Sequence, residues 1–108
     1  MKRLVMALGV CVLLAACGRG TQTLDFVAQN TAYTKAPAEA KAGEATFVLT
    51  NNDPIEHYVV IDELGVEVEA HGGETARQTT VLKPGTYTYY CKVPGHRLAG
   101  MEGDLVVK

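Results

Sequence analysis

Thr86-Tyr87-Thr88-Tyr89-Tyr90-Cys91-Lys92-Val93-Pro94-Gly95-His96-Arg97-Leu98-Ala99-Gly100-Met101 carries two signals joined at Cys91. The upstream half is rich in Thr and Tyr, as strands are. By the two-residue period, Tyr87, Tyr89 and Cys91 share one face, and Thr88 and Tyr90 the other. With Cys91 pointing inward, Tyr87 and Tyr89 are core. The downstream half is a loop: Pro94 stiffens it, and Gly95 and Gly100 let it turn tightly. Across the loop a thiol, an imidazole and a thioether follow at spacings of five and five. A second imidazole, His57, lies 34 residues upstream of Cys91.

Outward from this stretch the chain reads as short strands separated by turn signals, the spacing of an all-β sandwich. Asp104 to Val107 is the last strand. Lys83-Pro84-Gly85 has the order of a type II turn and predicts a hairpin joining Thr75–Leu82 to Thr86–Cys91. Gly72-Gly73 is a turn, and Leu64 to Ala70 is a strand with a bend at Gly65. In His57–Asp62, His57, Val59 and Ile61 share a face. Asn51-Asn52-Asp53-Pro54 is a loop by composition. Ala45 to Asn51 is a clear strand, and Thr23 to Ala28 alternates around Leu24, Phe26 and Ala28. Pro37 confines Asn30 to Ala42 to a loose edge strand and loop. The count is seven to eight strands, with no repeat and no helical apolar stripe.

The N-terminus has the layout of a secretory signal: Lys2 and Arg3, then the apolar run Leu4 to Leu14, then small residues. That run is short against the ~20 residues of a membrane-spanning helix. Leu14-Ala15-Ala16-Cys17 resembles a bacterial lipobox, in which cleavage precedes the Cys and the thiol takes lipid. The expected organisation is therefore a signal peptide over 1–16, a lipidated Cys17 and tether over 17–23, and one domain over 24–108. Cleavage would leave 92 residues with 8 basic and 12 acidic side chains, a formal charge of −4. The domain would sit on the extracytoplasmic or periplasmic face, held to the membrane by its lipid. No basic stripe or aromatic platform points to nucleic acid.

Of the three cysteines, Cys11 leaves with the signal and Cys17 takes lipid, so Cys91 stands alone. A single free thiol in a compartment that favours disulfides needs an explanation. Burial as an inert side chain is one, an intermolecular disulfide another, and a bound metal the third. Two imidazoles, a thiolate and a weak thioether form the donor set of a blue-copper site. His71, among Gly and acids, reads as a solvated surface residue. Asp53, Glu56, Asp62, Glu63, Glu67 and Glu69 read as an acidic face with no Lys or Arg within the stretch.

From Thr23 to Lys108 the sequence resembles the cupredoxins, small blue-copper proteins. The likeness is sharpest at Asn51-Asn52-Asp53-Pro54-Ile55-Glu56-His57, Tyr89-Tyr90-Cys91, Pro94-Gly95-His96 and Gly100-Met101-Glu102-Gly103. The Cys-to-His spacing is similar to that of rusticyanin and auracyanin. The resemblance implies a Greek-key β-sandwich with one type 1 copper at one end. It implies His57, Cys91 and His96 as equatorial ligands and Met101 as the long axial one. Many members have Asn or Asp directly after the first ligand His. Tyr58 stands there, leaving Asn51 or Asn52 to tie the two ligand loops together.

The expected role is a monomeric electron carrier, not an enzyme, with no small-molecule substrate. His96 would be the port for electrons, Tyr90 a second route, and the partners membrane-associated redox proteins. Pro54, Ile55, Val93, Pro94, Leu98 and Ala99 would form an apolar rim. The rival role is a periplasmic copper chaperone or sequestering protein.

Overall fold

The computed structural model describes residues 20–108. The expected signal peptide over 1–16 and the expected lipidation site Cys17 lie outside the described residues.

Nine strands are formed among the described residues: β1 (Gln22–Ala28), β2 (Tyr33–Lys35), β3 (Glu39–Ala40), β4 (Gly43–Asn51), β5 (His57–Ile61), β6 (Val66–Ala70), β7 (Thr75–Leu82), β8 (Gly85–Tyr90) and β9 (Glu102–Val107). A single 3-10 turn, Asp62–Leu64, links β5 to β6 and ends on Gly65 at φ 64. The count exceeds the expected seven to eight because the segment on either side of Pro37 forms two short edge strands, β2 and β3. Among the described residues no helix is long and apolar enough to cross a membrane.

The strands make two mixed sheets, ordered β2-β1-β4-β7 and β3-β9-β8-β5-β6. β1 runs parallel to β4, and β3 parallel to β9. The remaining pairs are antiparallel. The core is the set of inward residues that the two-residue period picks out: Leu24 and Phe26, Phe47 and Leu49, Val59 and Ile61, Val66 and Val68, and Leu105. Removing each large apolar side chain from water contributes about 1.5–3 kcal/mol. An aromatic cluster fills one part of this core. The Phe26 ring centroid is 5.0 Å from Tyr89 and 5.7 Å from Tyr33, both edge-on.

The expected β7–β8 hairpin does not form. β7 pairs with β4 from Gly43↔Leu82 to Thr50↔Thr75, and β8 pairs with β9 in the other sheet. Lys83-Pro84-Gly85 therefore carries the chain across the sandwich. Gly85 takes φ 153, far from the roughly +80° that the second central residue of a type II turn takes. A Pro-Gly pair announces a change of direction without saying which strand comes next. Leu82 is buried where β7 ends, and the Tyr87 hydroxyl donates to the Lys83 carbonyl at 2.8 Å, which fixes the crossing.

β5 and β8 share a single register pair, Val60↔Tyr90. Cys91 leaves the sheet directly after it. This is the end of the sandwich where both histidine-bearing loops meet.

Candidate metal centre

His57 opens β5 and points inward, as its alternation with Val59 and Ile61 requires; all three are buried. Cys91 follows β8, and it is fully buried, as is Met101. His96 is half-buried. The 91–101 loop closes on its own backbone. The Cys91 N–H donates to the Met101 carbonyl at 3.1 Å, and the Met101 N–H to the His96 carbonyl at 3.1 Å. A helical turn between them, with Ala99 N–H on Gly95 and His96 carbonyls and Gly100 N–H on Arg97, holds the loop compact. Gly95 and Gly100 take φ 86 and φ 109, which side chains rarely tolerate. Arg97 braces the outside, its guanidinium 4.1 Å from the Tyr90 ring and its Nε donating to Glu102 at 2.8 Å.

Three donor atoms converge. Cys91 Sγ lies 3.8 Å from His57 Nδ1 and 3.5 Å from His96 Nδ1. The ligand atoms of His57, Cys91 and His96 all lie within 4.8 Å of one another. Metal bonds of about 2.05 Å to imidazole nitrogen and 2.3 Å to thiolate, spread at trigonal angles, would part nitrogen from sulfur by roughly 3.8 Å. The observed spacings fit an ion held between these atoms.

The imidazole tautomer follows from the other side of the ring. His57 Nε2 lies 2.7 Å from Asp53 Oδ2. A carboxylate can only accept, so Nε2 carries a proton, and in the neutral imidazole the lone pair is then on Nδ1, facing Cys91. Asp53 is itself buried. The Thr31 N–H, with His57 and Asn30, holds its carboxyl below the usual carboxylate range, against the opposing effect of burial. The pKa of His96 is lowered, first by burial and then by His57 nearby. The lowered His96 value favours the neutral imidazole that metal ligation needs.

The sulfur receives one backbone donor, the Tyr58 N–H at 3.4 Å. This bond ties the two ligand loops together. The expectation that Asn51 or Asn52 would do so is not met. The Asn51 amide donates to the Ile55 and Ala70 carbonyls and its oxygen accepts from the Asp53 N–H, so it shapes the His57 loop and ties it to the end of β6. The exposed side chain of Asn52 is not involved; its N–H bonds the Ala28 carbonyl. A main-chain donor makes the identity of residue 58 immaterial to this job, which is why the sequence hides it.

The acidic face is smaller than its residues imply. Asp53 is turned inward, Lys92 pairs with Glu67 at 2.6 Å, and Tyr90 donates to Asp62 at 2.9 Å. Glu56, Glu69 and His71 form a second, exposed group of possible metal ligands. The single proton of the Tyr58 hydroxyl faces Glu69 at 3.0 Å and Glu56 at 3.3 Å. The hydrogen bond to Glu69, then burial and the nearby Glu56 charge, push the Tyr58 phenol up to about 12.

The model of the cupredoxin-like domain matches residues 4–107. The chain belongs to the cupredoxin-like family. Among solved structures this cupredoxin is similar to auracyanin B, with 25% identity over 81% of this chain and 88% of that one, at a TM-score of 0.68. It is equally similar in sequence to auracyanin A, a "blue" copper protein from the green thermophilic photosynthetic bacterium Chloroflexus aurantiacus. That match has 25% identity over 82% of this chain and 100% of that one, with a TM-score of 0.64. A mutant of amicyanin in its reduced Cu(I) form shares the fold, with 24% identity over 82% and 83% of the two chains and a TM-score of 0.58. The group His57, Cys91, His96 and Met101 is typical of a type 1 copper site. The cupredoxin fold is thus as the sequence predicts, and the donor atoms of His57, Cys91 and His96 stand together.

Proposed function

We propose that this cupredoxin is an exported, lipid-anchored electron carrier that passes single electrons between redox partners through one copper held by His57, Cys91, His96 and Met101. The convergence of two Nδ1 atoms on one buried Sγ carries this reading. Copper, when bound, supplies the one-electron couple. The protein supplies rigidity: the Tyr58 N–H on the sulfur, Asp53 behind His57 and the self-closed 91–101 backbone hold the donors in one arrangement, so an electron can move without ligand exchange.

His96 is the exposed edge of the site. The two loops around it carry Pro54, Ile55, Pro94, Leu98 and Ala99 at the surface. Ile55 is 47% and Leu98 95% exposed, which suits the small, transient contacts of electron carriers. Tyr90, beside Cys91 and facing the other way, is the second route. With a tether as short as 17–23, membrane-embedded partners on the extracytoplasmic side are favoured over distant ones. The protein works as a monomer and turns over no substrate.

The test is the visible and EPR spectrum of the Cu(II)-loaded protein, followed by redox cycling. A strong charge-transfer band that vanishes in Cys91→Ser, with the metal kept through repeated cycles, is the expected result. A colourless protein that surrenders its copper to an acceptor would instead mean copper handling.

A further inference from the structure

Asp53 belongs to no ligand set, yet it makes more contacts than a loop acid needs. One carboxylate oxygen accepts the Asn30 N–H at 2.7 Å, and the other accepts the Thr31 N–H at 2.9 Å and faces His57 Nε2 at 2.7 Å. Asn30 and Thr31 are the two non-glycine residues with positive φ among the described residues, at 55 and 54. For a β-branched residue such as Thr31 that conformation is a marked outlier, and outliers of this kind persist only where surrounding structure imposes them. The turn is otherwise closed by Gln29 and Ala32, which exchange backbone hydrogen bonds at 2.9 and 3.2 Å. Both inner N–H groups are thereby left to aim at one buried carboxylate. Asp53 is fixed from its own side as well, its N–H bonded to the Asn51 side chain at 2.8 Å.

We infer that Asp53 is a positioning residue for the metal: its carboxylate, clamped by the left-handed Asn30–Thr31 turn, locks His57 in the tautomer and orientation that aim Nδ1 at the copper position. This rests on the copper reading of the site. The carboxylate is a fixed negative charge one imidazole away from the ion. It stabilises the doubly charged oxidised metal more than the singly charged reduced one, so it sets the potential as well as the geometry. Partners of this kind behind a ligating imidazole are worth about 10–100-fold in metal affinity.

Asp53→Asn keeps the size of the side chain and removes the charge and one acceptor. Cu(II) affinity should fall about 10–100-fold and Cu(I) affinity less. Each tenfold difference between the two raises the potential by about 59 mV for one electron. Asp62→Asn, which alters an exposed acid, should leave both unchanged. In the metal-free wild type, nitrogen-15 NMR should show His57 protonated at Nε2, with a slowly exchanging proton. In Asp53→Asn that signal should be lost or split between tautomers.

Unchanged affinity and potential in a folded Asp53→Asn would overturn the inference. So would a wild-type His57 that carries its proton on Nδ1 or exchanges it rapidly, a measurement that needs no variant. Should the wild type bind no copper, the metal reading fails by itself, and the NMR comparison still decides whether Asp53 orients His57.

Discussion

Gly72 lies outside the metal centre, yet a single methyl group there should disturb it. A Cβ at this position would collide with the Pro54 carbonyl oxygen, and would stand 2.7 Å from its carbon and 3.0 Å from the Asp53 main-chain carbonyl oxygen. Carbon contacts are most favourable at about 3.5–4.0 Å, so one backbone must retreat by roughly 1 Å. The obstacle is main chain, and no rotamer change relieves it. Overpacking of this kind costs about 1–3 kcal/mol, on the order of 10 °C in Tm for a domain of this size. The segment pushed is the one that presents Asp53 to His57, so the strain should reach the site. Gly72→Ala should therefore melt lower without metal and, loaded with Cu(II), show a shifted charge-transfer band or potential. Gly73→Ala separates contact from conformation. It has open space around it but sits at φ +79, so it should lose about 1 kcal/mol and leave the spectrum untouched. If Gly72→Ala melts with the wild type and gives the same spectrum, the close approach of the β6–β7 turn to Pro54 is not real.

Met101→Leu should keep the fold, since such swaps cost under about 1.5 kcal/mol. It should retain coloured copper at a raised potential, because an electron-donating axial ligand is lost; voltammetry showing no shift would remove Met101 from the ligand set. Tyr33→Phe deletes the hydroxyl that donates to the Tyr58 carbonyl at 2.5 Å and should cost about 1 kcal/mol, read by denaturant unfolding; a neutral result would mean that water replaces it. The metal-free protein should lose stability as pH falls from 7 towards 5. The folded site holds the His96 pKa below its ordinary value, so below about pH 6.5 the unfolded chain binds protons that the folded one resists. Melts of wild type and His96→Asn across that range check the sign: the dependence should weaken in the variant, and a rise in wild-type stability with acid would contradict it.

Most of the strand plan was legible because one face of each strand is buried, and alternation reports burial. Phe47 and Leu49, His57 and Val59, and Tyr89 and Cys91 fall where the two-residue period puts them. The ligand residues were legible because sulfur and imidazole are rare and their spacing is distinctive. Partnership between strands was not: Pro84-Gly85 looks the same whether it closes a hairpin or crosses a sandwich. Asp53 was hidden for a related reason. Composition assigns an aspartate in an Asn-rich loop to solvent, and only the fold brings the Asn30–Thr31 turn and His57 to it. The sulfur's donor escaped notice because a backbone N–H has no letter in the sequence.

Three of the four proposed donors belong to one short loop, 91–101, which ties itself shut through main-chain bonds. Cys91, His96 and Met101 stay within eleven residues of one another even in an unfolded chain, which therefore also offers metal donors. An unfolded chain that already grips metal narrows the gap between bound and free states, since binding to the denatured form reduces the stabilisation a ligand confers. Copper should accordingly protect this protein against heat by less than its affinity for the native site implies, and should be able to board before β5 delivers the last imidazole.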